Sequence, residues 1–187
     1  MKAAVILGST GILLSGAISP AMAEEVETTV TGGDLKETAA GATLAGVTLD
    51  GYNQEVTGVS TQWTITDARG TGAAWTLSAS ATTLTSAAGT ADLTARTISI
   101  DNLAITPDTV TAGTGSDAAT NIAAPRLSLS TSAQALLSAT SPSKGSYTLT
   151  PTFSLTIPAN AYRSNYSAAV GSTPLIPYIS TITFTIA

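Results

Sequence analysis

The 187-residue chain has no cysteine and no histidine, and seven Lys and Arg stand against twelve Asp and Glu for a formal net charge of −5. These counts exclude disulfides, thiolate or imidazole metal sites, cysteine nucleophiles and histidine bases. The acidic balance argues against nucleic acid and anionic lipid as partners, because phosphate binding depends on clustered Lys and Arg.

The first residues read as a secretion signal. Lys2 is followed by an apolar run from Ala3 to Ile18 containing Ile6, Leu7, Ile12, Leu13 and Leu14, and Ala21-Met22-Ala23 precedes the acidic pair Glu24 and Glu25. A short apolar stretch ending in small residues at the minus three and minus one positions is what signal peptidase cleaves. Ser9, Thr10, Ser15 and three glycines interrupt the run, which distinguishes it from a membrane span of about 20 apolar residues. Residues 1–23 are therefore assigned as a signal peptide, with Glu24 the mature N-terminus. The mature protein, six Lys and Arg against twelve Asp and Glu once Lys2 is removed, is expected to leave the membrane without inserting.

Charged residues make up only 10% of the chain and its mean hydropathy is positive, the reverse of a disordered composition. Residues 24–40 form an N-terminal segment suited to an edge strand. From residue 41 onward, period-two alternation between turn signals predicts strands at Gln62 to Thr66, Trp75 to Ala81, Ile98 to Ala104, Leu127 to Leu129, Tyr147 to Ile157 and Ile179 to Ile186. Pro151, inside the longest run, argues for an edge or a bulge. Ser130 to Ala139 lacks clean alternation and reads as at most a short helix, or as a bulged strand. Seven or more short strands at this spacing predict an all-β, antiparallel sandwich of Ig-like or jelly-roll type, one domain over 41–187.

The most informative stretch is Gln62 to Ser80, read as a hairpin. Trp63 and Ile65 share one face, Asp67 opens a loop through Gly70 and Gly72, and Trp75 and Leu77 return on the next strand. Asp67 is placed to cap loop amides, with Arg69 pairing back onto it or projecting. This stretch resembles the first signature of the WxL family: Thr66-Asp67, then Arg69-Gly70-Thr71-Gly72, then Trp75-Thr76-Leu77. The family's closing signature is met by Leu155-Thr156-Ile157-Pro158-Ala159, Tyr178 and Phe184-Thr185-Ile186, with Phe184 and Ile186 where the family has Trp and Leu.

The resemblance implies a non-catalytic surface protein held non-covalently on the peptidoglycan of a Gram-positive wall, with other exported surface proteins as further partners. The alternative is a structural or adhesive subunit associating edge to edge with other β-proteins, as Thr-rich strands with few charges permit. Candidate binding residues are Asp67, Arg69, Gly70 and Gly72 in the loop, Trp63, Trp75 and Leu77 in its flanking strands, and Tyr178, Phe184 and Ile186 in the closing segment. For Trp75 and Phe184, alternation beside aliphatic residues favours the core over a sugar-stacking platform. Tyr52, Tyr162 and Tyr166 sit among turn residues, where contact with a glycan or protein is a lesser expectation.

No cofactor is called for. Asp101, Asp108, Asp117, Asn102 and Asn121 are oxygen donors of the kind Ca²⁺ takes, but they lack a recognised spacing and read better as turn carboxylates and amides. Ser141 to Lys144 matches a Ser-x-x-Lys pattern and Ser116-Asp117-Ala118 faintly matches its companion motif. The serine lies in a Pro/Gly loop and the order is reversed, so both are chance matches.

Overall fold

The computed structural model describes residues 26–171 and 174–187, so the assigned signal peptide and its cleavage site lie outside the described residues. Thr31–Ala187 form one compact unit, and residues 26–30 carry no regular secondary structure. Among the described residues no helix is long and apolar enough to cross a membrane.

Strands are numbered in chain order. The first sheet has the order β1 (Leu35–Glu37), β3 (Trp63–Asp67), β12 (Gly145–Leu149), β8 (Thr111–Ala112). The second runs β10 (Leu127–Ser128), β7 (Leu103–Thr106), β13 (Thr152–Ile157), β2 (Gln54–Val59). The third runs β16 (Ile182–Ile186), β4 (Trp75–Ala81), β11 (Gln134–Ala139), β9 (Ile122–Ala123). Two small ribbons pair β5 (Leu84–Ser86) with β6 (Arg96–Ile98), and β14 (Asn165–Tyr166) with β15 (Leu175–Ile176). Every ladder is antiparallel, as the alternation requires.

The first two sheets are one sheet folded at a corner. β2 continues into β3 across Ser60, and their partner β13 is continuous with β12 across Pro151. Val59 pairs with Thr152 on one side of the corner and Trp63 with Leu149 on the other. Three residues on one strand face two on the other there, which bends the ladder as a bulge does. The Ser60 N–H donates to the Pro151 carbonyl at 3.0 Å. The Tyr147 to Ile157 run is thus two strands in two sheets, broken at Pro151, where proline has no N–H to give. Neither half is an edge: β12 lies between β3 and β8, and β13 between β7 and β2.

The structure corrects the hairpin. β3 and β4 do not pair: β3 belongs to the folded sheet and β4 to the third, so residues 68–74 arch from one layer to the other. Alternation could not separate the two cases, because both strands bury the same set of odd positions. Trp63, Ile65 and Asp67 on one, and Trp75, Leu77, Ala79 and Ala81 on the other, enter a single core from opposite layers. Two further runs change. Ile98 to Ala104 breaks at a 3-10 turn, Ile100–Asn102, where the Asn102 backbone and side-chain amides both donate to Ser99 O at 3.2 Å. Gln134–Ala139 is a strand with a register shift between Ala135 and Leu137, not a helix, and the bulge lets the consecutive Leu136 and Leu137 both be buried.

The core joins the layers. Trp63 packs edge-on against Phe184 at 4.9 Å between ring centres and against Phe153 at 6.4 Å, and Trp75 lies 6.3 Å from Tyr147. Trp63, Trp75, Tyr147 and Phe153 are buried, and a fully buried apolar side chain contributes about 1.5 to 3 kcal/mol of transfer free energy. Between β1 and β2 the chain forms an irregular strap, residues 38–53, alongside β2 and β3. The Trp63 Nε1–H donates to Ala40 O at 3.1 Å and to the Ser60 Oγ at 3.0 Å, while Gln54 Nε2 donates to Thr48 O at 2.9 Å. Gly58 permits the approach, since a Cβ there would sit 2.5 Å from the Thr43 carbonyl oxygen.

Candidate functional site

Three loops meet at one end of the sandwich: 68–74, 113–117 and 141–145. Asp67 ends β3 with its side chain buried, and its carboxylate accepts from Arg69 N at 3.1 Å, Arg69 Nε at 3.0 Å and Arg69 Nη2 at 2.9 Å. The same Nη2 donates to Ala73 O at 3.0 Å and so pins the far side of the loop. Gly70 and Gly72 lie at φ of 74° and 68°, the left-handed region in which a side chain is strained. The hydrogen bonds from Arg69 hold the Asp67 carboxyl below the usual carboxylate range against the opposing effect of burial.

Below this arch the Trp75 Nε1–H donates to Ser143 O at 3.2 Å, and the Tyr147 hydroxyl to Lys144 O at 3.0 Å. Asp117 Oδ2 accepts from the Lys144 N–H at 2.8 Å and pairs with Lys144 Nζ at 3.1 Å, which keeps its carboxyl depressed as well. Asp67 with Arg69, and Asp117 with Lys144, pair their charges with each other here.

The Ser141 to Lys144 and Ser116-Asp117 matches do adjoin in space, as loops that cross-brace each other: the Ser116 Oγ–H donates to Ser146 O at 3.1 Å and Asn121 Nδ2 to Pro142 O at 2.6 Å. Among the described residues no group of three or more acidic side chains converges on a metal-sized site. Asp108 caps the Thr109 N–H at 2.7 Å, a turn role like that of Asn102.

The candidate binding residues therefore separate. Asp67, Arg69, Gly70 and Gly72 come together at the loop. Trp63, Trp75 and Leu77 are 0%, 2% and 0% exposed, so they support the arch from within the core and present no ring to a ligand. Phe184 and Ile186 are half-buried on β16 against that core. Tyr178 lies beyond the opposite end of β16, past the pairing of Ile182 with Ala81.

A second surface surrounds Tyr178. Its hydroxyl, pushed above its ordinary pKa chiefly by burial, donates to Tyr162 O at 2.9 Å. The Arg96 guanidinium lies 4.2 Å from the centre of the Tyr162 ring, and Tyr162 is 63% exposed. Thr94, Ala95, Arg96, Thr97 and Tyr162 line a cleft of about 340 Å³. Arg163 stacks over Tyr166 at 4.6 Å and binds Asp92 through both terminal nitrogens at 2.8 and 3.1 Å. That pair, with the Tyr166 N–H, lowers the Asp92 carboxyl to about 2.

Asp92 is thus committed to Arg163, and no described acidic group pairs with Arg96. Asn165 fixes the frame: fully buried, it donates from Nδ2 to Ala87 O at 2.9 Å and Thr94 O at 2.8 Å, and its N–H bonds Ser86 Oγ at 2.9 Å. Sequence reasoning missed Arg96 and Arg163 because the site gathers residues near 96, 162 and 178 that share no local pattern.

It also missed an apolar cavity of about 1120 Å³ on the side of the sandwich between the strap and β16. Leu44, Val56, Leu155, Ile157, Ile182 and Phe184 are among its walls, and Tyr162 and Tyr178 border it toward the second surface. A family model described as WxL domain, surface cell wall-binding, matches residues 27–169. No curated protein and no solved structure matches the chain.

Proposed function

Because the chain belongs to the WxL surface cell wall-binding family, we propose that it is a non-catalytic attachment module that holds peptidoglycan of a Gram-positive wall non-covalently, through the Tyr162, Arg96 and Tyr178 surface. The observation that carries the placement is the Arg96 guanidinium stacked 4.2 Å from an exposed Tyr162 ring, beside a cleft, with no described carboxylate in salt-bridge contact and the nearby Asp92 taken up by Arg163. Peptidoglycan offers sugar rings, which stack on flat aromatic faces, and peptide carboxylates, which a guanidinium binds through two parallel donors. At the opposite end Arg69 already gives its Nε and Nη2 to Asp67 and Ala73, so the 68–74 loop is a brace and not the main donor to the wall. Other exported surface proteins are further partners on this reading.

Co-sedimentation of the purified protein with isolated peptidoglycan tests it. Wild type is expected in the pellet, with Tyr162→Ala and Arg96→Ala each weakening binding about tenfold, the equivalent of about 1.4 kcal/mol. Folded Arg69→Ala is expected to bind as wild type. Wild type remaining in the supernatant at low salt overturns wall binding. Undiminished binding by both Tyr162→Ala and Arg96→Ala overturns the site while leaving attachment standing.

A further inference from the structure

β16 is the outermost strand of the third sheet, bonded on one side only, with β1 of the other layer near it. Thr76 and Ala187 exchange N–H to O bonds at 2.8 and 3.1 Å, and the Thr82 N–H donates to Thr181 O at 3.0 Å. Bonded pairs alternate along an antiparallel ladder, so Thr183 and Thr185 also turn their backbone groups toward β4. Ile182, Phe184 and Ile186 turn theirs away. Among the described residues no backbone hydrogen bond reaches those three from outside the β4 ladder.

The other edges of the three larger sheets are protected. β1 carries Lys36 and Glu37; β2 carries Glu55 and Gly58 and has the strap beside it; β8, β9 and β10 are two residues long. β16 has five residues, no charge, no proline and no glycine. Such an edge is a template for another strand.

We propose that β16 pairs with β16 of a second copy of this chain, antiparallel about a two-fold axis at Phe184. The strand reads Ile182-Thr183-Phe184-Thr185-Ile186, the same in both directions. In that register Phe184 meets its own equivalent, each Ile182 meets an Ile186, and each Thr183 meets a Thr185. Phe184 with Phe184 and the two Ile182–Ile186 pairs are the bonded ones, and each exchanges two hydrogen bonds, so all the outward groups of the three residues are satisfied.

Like faces like throughout, apolar on the inner face and hydroxyl on the outer, and no charges oppose each other although the chain as a whole is acidic. The half-buried Ile182 and Phe184 line the cavity beside this edge, leaving space for the inner side chains of an added strand. Each third sheet then continues into its partner, with the same patch on both copies. A dimer also presents two wall-binding surfaces at once, which raises avidity without a new contact.

The register supplies its own test. Thr183 and Thr185 are exposed, share one face of the monomer and oppose each other only across the two-fold. Sedimentation equilibrium at about 100 µM, where a micromolar dissociation constant leaves most protein paired, should give twice the chain mass for wild type. Thr183→Lys with Thr185→Lys places lysine against lysine twice and should give the monomer. Thr183→Lys with Thr185→Glu places each lysine against a glutamate and should restore the dimer.

A monomeric wild type overturns the proposal, including the case in which only a different protein or an apolar ligand occupies the edge. So does a Lys/Lys variant that stays dimeric, or a Lys/Glu variant that is as monomeric as Lys/Lys while both keep the wild-type circular dichroism spectrum. None of these outcomes involves peptidoglycan, so they leave the wall-binding reading untouched.

Discussion

Asp67 and Arg69 at one end of the sandwich spend their charges on each other and on the loop between them, whereas Arg96 and Tyr162 at the other end meet solvent beside a cleft. The first pair is separated by two positions, the second by 66, as their numbering shows. A local motif of Asp, Arg and two glycines is strong in sequence because it solves a local problem. It carries the chain across from one layer to the other with the carboxylate, the guanidinium and the left-handed residues all accommodated. On the proposed reading, the groups that meet a ligand are those that folding assembles from a distance.

The sharpest way to break the comparison is to remove the support under the arch. Trp75→Ala deletes a 2%-exposed ring and its bond to Ser143, and should cost about 3 to 5 kcal/mol in urea or thermal unfolding. By contrast, Tyr162→Ala should change stability by less than about 0.5 kcal/mol, the range of an exposed site, while it weakens wall binding. A Trp75 variant of wild-type stability would mean that the arch does not rest on the core.

A smaller effect isolates the brace itself. Asp67→Asn keeps the shape but exchanges charge-assisted bonds for neutral ones and turns an amide toward Arg69. It should cost about 1 to 3 kcal/mol by chemical denaturation and leave peptidoglycan binding by the folded protein intact.

The smallest effect concerns acid. Asp92 sits at about 2 in the folded state, below its ordinary 3.8, so the native protein binds fewer protons at this site than the unfolded chain. Its contribution is complete above about 3.8 and is lost as the pH falls toward about 2. Thermal midpoints measured across that window should fall more steeply for wild type than for Asp92→Asn. Equal slopes would show that the Arg163 pair does not hold the second surface together.

Much of the fold was legible. Trp63 and Ile65, Trp75 to Ala81, and Phe153 to Ile157 announced their buried faces by strict alternation, because a strand turns alternate side chains to opposite sides whatever it pairs with. The Asp67 cap and its Arg69 partner were legible for the same reason: the interaction spans two residues, a distance fixed by the backbone. The family resemblance was carried by this same local stretch.

Pairing was not legible. The sequence by itself determined which residues of each strand are inward, that the domain is an antiparallel sandwich, and that a rigid loop joins the two Trp strands. Only the tertiary structure decided that those strands lie in different layers, that Pro151 marks a corner between two sheets, and that Arg96, Tyr162 and Tyr178 share one surface. Alternation records a side of the chain and not a neighbour. A strand with one buried face satisfies its backbone equally well against any partner of matching register, and the choice among partners is made by how the whole set of faces closes over one core.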